Sequence, residues 1–552
     1  MMETCEKALT GDLPPAYYLA SVDPGHGKTL ALAEFLKAWR QRGFPGQGGA
    51  LIGVSRLDEI KTYIEAADLE PDQFGVLTST DEMNALGVSK SKQAGVPILF
   101  TTQQMILSRT KGKLFRDASE FHFQGQPRAL RIWDESLIPA RTLSISRDDL
   151  GKLMSLRLRN PGYGEAIDGL MGVMASGDEG TIVSVPVTFA SRPSLARSTL
   201  GKSEAGELEN LTGTLAALAG KSAILISEGG LGWALVSTNE GLPSDFAPVI
   251  IADASGRVRA TYAAWERHGG NLVRLPEAVS DYRNLDVRLW QHKSGKLAME
   301  DPVTRDEIIQ GIADAINEDN GGDWLVIHYK QDENFLDDLK TRVANEPDRV
   351  RSLHWGNHHG TNSFRDVRNV VLVGLITYRR SGYLALGLAS GVPMNQLSDT
   401  DAEMRDGERA HHYLQAACRG AVRKVAHGVA GDMRLFLVAA RSLTIKDLLW
   451  RTFPGCSISD WNTENNLNGK VKLAADYLLE RFSDPLVMRV RKREVREAAG
   501  IERTATFASH VMRNADFRSF LNGQWIDEVG QSFERVQPFE VVDGYVFSPD
   551  EA

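Results

Sequence analysis

The sequence predicts an α/β protein with two successive parallel sheets and a small helical module after them. Three observations lead there. Short apolar runs at residues 50–54, 96–102, 129–133 and 248–252 alternate with segments of helical periodicity, as strands joined by crossover helices do. A second series of the same kind begins near residue 308. At 552 residues the chain exceeds what one hydrophobic core serves, so several domains are expected.

The first strand, residues 16–20, runs into Ser21-Val22-Asp23-Pro24-Gly25-His26-Gly27-Lys28-Thr29, and residues 30–42 follow as a helix. Strand, glycine turn, Lys-Thr, helix is the P-loop order, although Val22 stands where the usual pattern has its first glycine. Gly25 and Gly27 let the backbone curl around an anion, and the helix N-terminus adds positive potential. Gly25, His26, Gly27, Lys28 and Thr29 are thus the candidate phosphate cradle. Lys28 would reach the β- and γ-phosphates and Thr29 would hold Mg²⁺.

Residues 43–49 form a glycine-rich turn, 50–54 a strand, 57–69 a helix and 75–77 a weaker strand. Residues 129–133 form another strand and run into Asp134-Glu135-Ser136. Acids at the carboxyl end of a parallel strand lie where such sheets bind ligands. Asp134 would position Mg²⁺, and Glu135 would orient and deprotonate the attacking water. The same tripeptide also suits a helix N-cap with first-turn acids.

Residues 141–245 break the alternation, with helices at 150–158 and 208–218 and a hairpin around Gly229-Gly230. They read as an insertion in a first domain spanning 1–280. Residues 248–252 and the helix at 257–265 return to its sheet. The stretch 282–306 reads as a junction into a second domain, 281–456, with a helix at 308–316, strands at 324–329 and 369–374, and a helix at 335–343. Residues 413–423 read as one helix carrying Gln415, Arg419 and Arg423 at four-residue spacing on a single face.

This set resembles the superfamily 2 helicases and translocases (DEAD/DEAH-like P-loop motors). The P-loop looks like motif I and Asp134-Glu135 like motif II. Ser55-Arg56 falls at motif Ia, and Thr101-Thr102-Gln103 looks like the next nucleic-acid-contacting motif. Asp253-Ala254-Ser255 is similar to motif III and Gly360-Thr361-Asn362 to motif V. Gln415 to Arg423 matches the Q-x-x-x-R-x-x-x-R form of motif VI. The resemblance covers residues 15–455 and implies two tandem RecA-like P-loop domains with parallel sheets. It also implies ATP and Mg²⁺ as cofactors, Lys28, Glu135, Gln415, Arg419 and Arg423 as the catalytic set, and Arg56, Thr101, Thr102, Gly360 and Thr361 as nucleic-acid contacts. An upstream adenine-reading glutamine motif is not recognisable, which leaves base preference open.

Residues 457–469 read as a linker, and 471–482, 491–499 and 504–512 as helices with helix–turn–helix spacing. Residues 524–531 and 539–547 are the expected hairpin of a winged-helix-like module at 457–552. Between 481 and 520 nine Lys/Arg face five Asp/Glu, a basic segment in a chain of net charge −9. That excess favours a DNA-directed role, with RNA as the alternative. A helical docking module for a protein is the competing reading.

The three cysteines, Cys5, Cys418 and Cys456, are too scattered for a thiolate metal site or a disulfide framework. His354, His358 and His359 lack partner cysteines or carboxylates for a metal site. No apolar run is long enough to span a membrane, and no signal peptide is visible, so the expected compartment is the cytoplasm. The expectation is an ATP-dependent helicase or translocase acting on DNA, with single-stranded or forked DNA as its partner. A nuclease, or a replication or defence complex, is the expected protein partner. The alternative is a nucleotide-gated ATPase that remodels or assembles a protein complex without separating strands.

Overall fold

The computed structural model describes residues 1–46, 48–157, 160–193, 202–319, 321–356, 363–440, 442, 444–461, 467, 469–484, 487–524 and 526–535. The chain forms two compact units, Met1–Ser280 with Tyr378–Gln415, and Asp281–Thr377 with Ala416–Ala552.

In the first unit the strands β1 (Tyr17–Ala20), β2 (Ala50–Val54), β3 (Phe74–Leu77), β4 (Ile98–Thr102), β5 (Leu130–Asp134), β6 (Val249–Ala252) and β7 (Leu272–Arg274) form a seven-stranded sheet in the order β7-β1-β6-β5-β2-β4-β3. Every pairing is parallel. The central strands β1, β2, β5 and β6 are buried along their whole length, which explains their continuous apolar runs. The helices α1 (Lys28–Gln41) and α2 (Leu57–Ala66) cover one face, and Leu32, Phe35, Leu36, Trp39, Ile60 and Tyr63 enter the core with Ile52, Ile132 and Ile250.

Register does the positioning. Ala20 of β1 pairs with Ala252 of β6, and Ala252 with Asp134 of β5. The chain therefore leaves three neighbouring strands at one level of the carboxyl edge, delivering the P-loop turn, Asp253 and Glu135 side by side.

The irregular stretch after β5 is a four-stranded antiparallel sheet made of Ala140–Ser146, Trp233–Glu240, Ser222–Ser227 and Ile182–Ser184. It has its own core, including Leu143, Ile145, Ile167, Leu225 and Leu235. Its other face packs Ile224, Ile226 and Val236 against Tyr383, Leu384 and Ala385 of the helix Arg380–Ala389. Residues 378–415, read from sequence as part of the second domain, thus pack with the first unit.

The second unit holds a six-stranded sheet of β8 (Leu285–Gln291), β9 (Trp324–His328), β10 (Val350–His354), β11 (Asn369–Val373), β12 (Met433–Ala439) and β13 (Ser457–Asp460), ordered β10-β9-β11-β12-β8-β13 and parallel throughout. Two stretches differ from the sequence reading. The supposed junction contains β8, whose Leu285, Val287 and Leu289 are buried while Asp286 and Arg288 alternate with them. The supposed linker begins with β13, an edge strand paired with β8.

Among the C-terminal residues, the helices Gly469–Ser483, Lys492–Ala498, Thr504–Phe507 and Ala515–Gly523 surround an antiparallel sheet of Arg489–Arg491, Ser532–Arg535 and Ile526–Val529. Leu478, Val495, Phe507, Val511, Phe517 and Phe533 form its core. The hairpin joins 526–529 to 532–535, closer together than the sequence reading placed it, and 539–547 lies outside the described residues. No helix among the described residues is long and apolar enough to cross a membrane.

Candidate nucleotide site

Gly25 and Gly27 both adopt left-handed backbone, with φ of 96° and 79°, a conformation that a Cβ would strain. Gly27 caps α1 with no side-chain hydrogen bond, so the first-turn N–H groups are left to an anion. Asp23 pins the turn from below. Arg257 grips it through Nε at 2.8 Å and Nη2 at 3.1 Å, and the Ser280 N–H donates to it at 3.1 Å. His26 Nε2 lies 2.8 Å from Ser280 Oγ, tying the turn's tip to the same segment.

Lys28 Nζ lies 3.0 Å from Asp134 Oδ1 and donates to the Ala252 carbonyl. Burial alone would pull this ammonium down, but Asp134, Asp253 and Glu135 together outweigh it and hold Lys28 above its ordinary range. Asp134 Oδ1 is buried, and the Lys28 ammonium is the group that faces it. Its other oxygen accepts the Tyr63 phenol at 2.7 Å, and the Thr29 hydroxyl also bonds to Tyr63. Tyr63 therefore joins the two residues expected to hold Mg²⁺. A hydroxyl and a carboxylate whose second oxygen is held only by the Lys28 ammonium, both at this edge, are donors that fit a hard cation keeping most of its waters.

Glu135 has φ of 83°, rare for a residue with a side chain, and its N–H donates to the Ala252 carbonyl at 3.0 Å. Strain of this kind costs about 1–3 kcal/mol and persists where surroundings over-determine it. Burial is the largest influence on its carboxyl and pushes it up. Lys28 and a hydrogen bond from Ser55 oppose that, and Asp134 and Asp253 add to the push.

Glu59 was not singled out from the sequence. On the first turn of α2 it accepts the Ser55 and Arg56 N–H groups, each at 3.1 Å, and lies 3.2 Å from the Ser55 hydroxyl. Burial, then Glu135 and Asp134, push its carboxyl up to about 7. Glu59 and Tyr63 are four residues apart on one face of α2, and no local spacing rule ties either to the P-loop.

Asp253 is buried. It accepts the Ser255 N–H and hydroxyl at 2.8 and 2.7 Å and the Tyr262 phenol at 2.9 Å. The Leu137 N–H donates to that phenol, and His411 Nδ1 lies 2.8 Å from Ser255 Oγ. The motif III-like tripeptide is thereby linked both to the segment after Glu135 and to the helix Asp401–Ala417.

No protein-family model matches the chain, and no curated protein matches it in sequence. Solved structures do show a likeness in shape. An apo XPD structure gives a TM-score of 0.44 at 12% identity over 83% of this chain and 99% of that one. S. tokodaii Xpd4 gives 0.41 at 13% identity, covering 83% and 98%. S. cerevisiae Dbp5 bound to RNA and ADP BeF3 gives 0.36 at 12%, covering 84% and 89%. At these identities and scores the likeness assigns no role to any residue, and the site stands on its own geometry.

Of the site residues expected from the sequence, those of the first unit converge: Gly25, His26, Gly27, Lys28, Thr29, Asp134 and Glu135 are at one sheet edge, with Asp253. Thr101 is a correction. It is fully buried and donates its hydroxyl to the Leu77 carbonyl at 2.7 Å, so it bridges strands and is not presented to a ligand. Thr102 caps the next helix by accepting from the Met105 N–H. Arg56 is partly exposed at the start of α2. Gly360 and Thr361, with His358 and His359, lie outside the described residues.

The motif VI helix is also corrected. It ends at Ala417, so Gln415 is helical, Arg419 sits in the turn beyond, and Arg423 closes a short 3₁₀ turn, Ala421–Arg423. Gly420 explains the break: a Cβ there would fall within 2.6 Å of Val370 and Met433 side-chain atoms, and Ala421 donates its N–H to the Val367 carbonyl. The two arginines therefore do not share a helical face. Arg419 is buried, and burial pulls the Arg423 guanidinium below its ordinary range.

Proposed function

We propose that this chain is an ATP-dependent helicase or translocase acting on nucleic acid, DNA first. The observation that carries the reading is the single acidic cluster around Lys28, with Asp134 at 3.0 Å and Glu135 and Asp253 close enough to shift its charge. Without nucleotide, Lys28 rests on Asp134. A triphosphate in the Gly25–Gly27 turn would draw the ammonium onto its oxygens and free Asp134 Oδ1. Mg²⁺ bound there through Thr29 and Asp134 would neutralise phosphate charge. Glu135 would take the proton from the attacking water.

The charge that stabilises the transition state is assigned to Arg419 and Arg423 of the second unit, with Gln415 at the end of the preceding helix, as the resemblance to motif VI implies. Arg56 and Thr102 are the first-unit candidates for contact with a sugar–phosphate backbone, and the basic C-terminal module is the candidate duplex contact as a winged-helix-like domain.

The test is the ATPase rate with single-stranded DNA, duplex DNA and RNA in parallel, followed by strand displacement on the best activator. Many-fold, salt-sensitive stimulation is expected. Hydrolysis indifferent to every nucleic acid would replace this reading with a nucleotide-gated assembly protein.

A further inference from the structure

The C-terminal residues build two successive helices against a small sheet. The strand Arg489–Arg491 follows the helix Gly469–Ser483 and pairs with Ser532–Arg535, which the turn Gly530-Gln531 joins to Ile526–Val529. The helix Lys492–Ala498 leaves that first strand at once. Gly500, at φ of 65°, turns the chain after it, and Arg496 fastens the turn by donating to the Glu502 carbonyl at 2.6 Å. A second helical stretch then runs from Thr504 through a π turn to Met512. Two helices joined by a short glycine-bearing turn are a helix–turn–helix, the unit whose second helix can lie in a DNA major groove.

Burial shows which side of that second helix is free. Phe507 and Val511 lie in the module's core and Met512 packs against it, while Thr504, Ala505, Ala508 and Ser509 are exposed. The large apolar side chains that anchor a protein interface are thus turned inward. The charges sort in the same sense. Arg489 is paired with Glu534, Lys492 with Glu528 and Arg493 with Glu497. Arg503, which precedes the second helix, and Arg513, which follows it, are exposed and pair with no acid among the described residues. Unpaired guanidiniums therefore bracket the exposed face, and Glu502 is an exposed acid next to the first of them.

We propose that the stretch Thr504–Met512 enters the major groove of B-form duplex DNA, with Arg503 and Arg513 on the phosphates at its two ends. This rests on the reading of the C-terminal module as a duplex contact and commits it to one partner. The major groove of B-DNA admits a helix, whereas that of A-form RNA is too deep and narrow for one. The same surface therefore refuses duplex RNA.

The test measures the affinity of the full chain, without nucleotide, for a duplex DNA, the matching duplex RNA and the single DNA strand over a range of KCl concentrations. Duplex DNA should bind well ahead of duplex RNA. Ala505→Glu should weaken duplex DNA binding on the order of a hundredfold, with a much smaller effect on the single strand. An acid in a helix's first turn is favourable, so this substitution spares the fold. Arg503→Ala and Arg513→Ala should each reduce the slope of log affinity against log salt by about 1. Glu502→Gln should tighten duplex binding, a gain that no folding defect imitates. Equal affinity for the two duplexes, a duplex DNA affinity that Ala505→Glu leaves intact, or unchanged salt slopes overturns the proposal. Strand-independent ATPase activity, with duplex binding that still responds to Ala505→Glu, would remove the helicase reading and keep the groove assignment.

Discussion

Tyr63 donates its phenol to Asp134 Oδ2 at 2.7 Å, and Lys28 approaches the other oxygen of the same carboxylate at 3.0 Å. Asp134 is thus oriented by a residue that does not touch phosphate and neutralised by one that would leave it on nucleotide binding. Tyr63→Phe keeps the ring and removes the orienting bond. Losing a buried hydrogen bond to a charged group should cost about 1–3 kcal/mol of stability, read from denaturant midpoints. The Mg²⁺ concentration for half-maximal ATPase should rise more than the KM for ATP, because the phenol holds Thr29 and Asp134 and not the phosphate turn.

Glu135→Gln should bind ATP at near wild-type affinity and lose turnover by about 10²–10⁴-fold, the usual contribution of a positioned base. Nucleotide binding by fluorescence titration and single-turnover hydrolysis separate the two effects. Near-normal hydrolysis would remove Glu135 as the base. The left-handed backbone at Glu135 adds a second readout. Glu135→Gly should unfold at a slightly higher denaturant concentration while being equally inactive, provided relief of strain exceeds the added backbone entropy cost.

Glu59 supplies the pH dependence. Its carboxyl is raised to about 7 from an ordinary 4.5. A group raised on folding favours the folded state fully below the ordinary value, and that contribution is lost as pH climbs through the raised one. Wild-type stability without nucleotide should therefore decline relative to Glu59→Gln between pH about 4.5 and 7, then run parallel above. Thermal midpoints of the two proteins across that range check the slope. A constant offset between them would mean that Glu59 is ionised throughout.

These contacts show what was legible in the sequence. Gly25, Gly27, Lys28 and the Asp134-Glu135 pair declare themselves because their chemistry is local: a turn only glycine adopts easily, and acids at a strand end. Glu59 and Tyr63 do not, because they reach the site across the sheet edge from α2, whose pattern reads simply as amphipathic. β8 was passed over because Asp286 and Arg288 interrupt its apolar residues, which is strand alternation and not a loop. The shared arginine face failed at Gly420, where close packing against β11 and β12 takes the chain out of the helix. Tertiary contact decided each miss.

Asp23 is buried beneath the phosphate turn and held by Arg257, itself only 10% exposed. Arg257→Ala removes the guanidinium that grips this carboxylate and keeps the Ser280 N–H bond to it. Removing one partner of a buried pair costs about 3–5 kcal/mol, and the negative charge would lie under the turn proposed to hold a triphosphate. The expected result is a raised KM for ATP with a smaller change in kcat, together with a lowered unfolding midpoint. Asp23→Asn combined with Arg257→Met removes both charges and should recover much of the ATP affinity, which a purely structural role for the pair would not require.

Arg423→Ala and Arg419→Ala test the second unit's part in the chemistry. Each should retain nucleotide and strand binding and lose ATPase activity, by about 10³-fold or more if the residue acts as an arginine finger. Arg419 is the more buried of the two, so its loss should also lower the unfolding midpoint, whereas Arg423→Ala should be nearly silent in stability. Lysine separates charge from geometry. Arg423→Lys keeps the positive charge but loses the planar fork, and should recover only part of the rate if guanidinium geometry at the γ-phosphate matters. Unchanged hydrolysis in both alanine variants would confine catalysis to the first unit and break the two-unit motor.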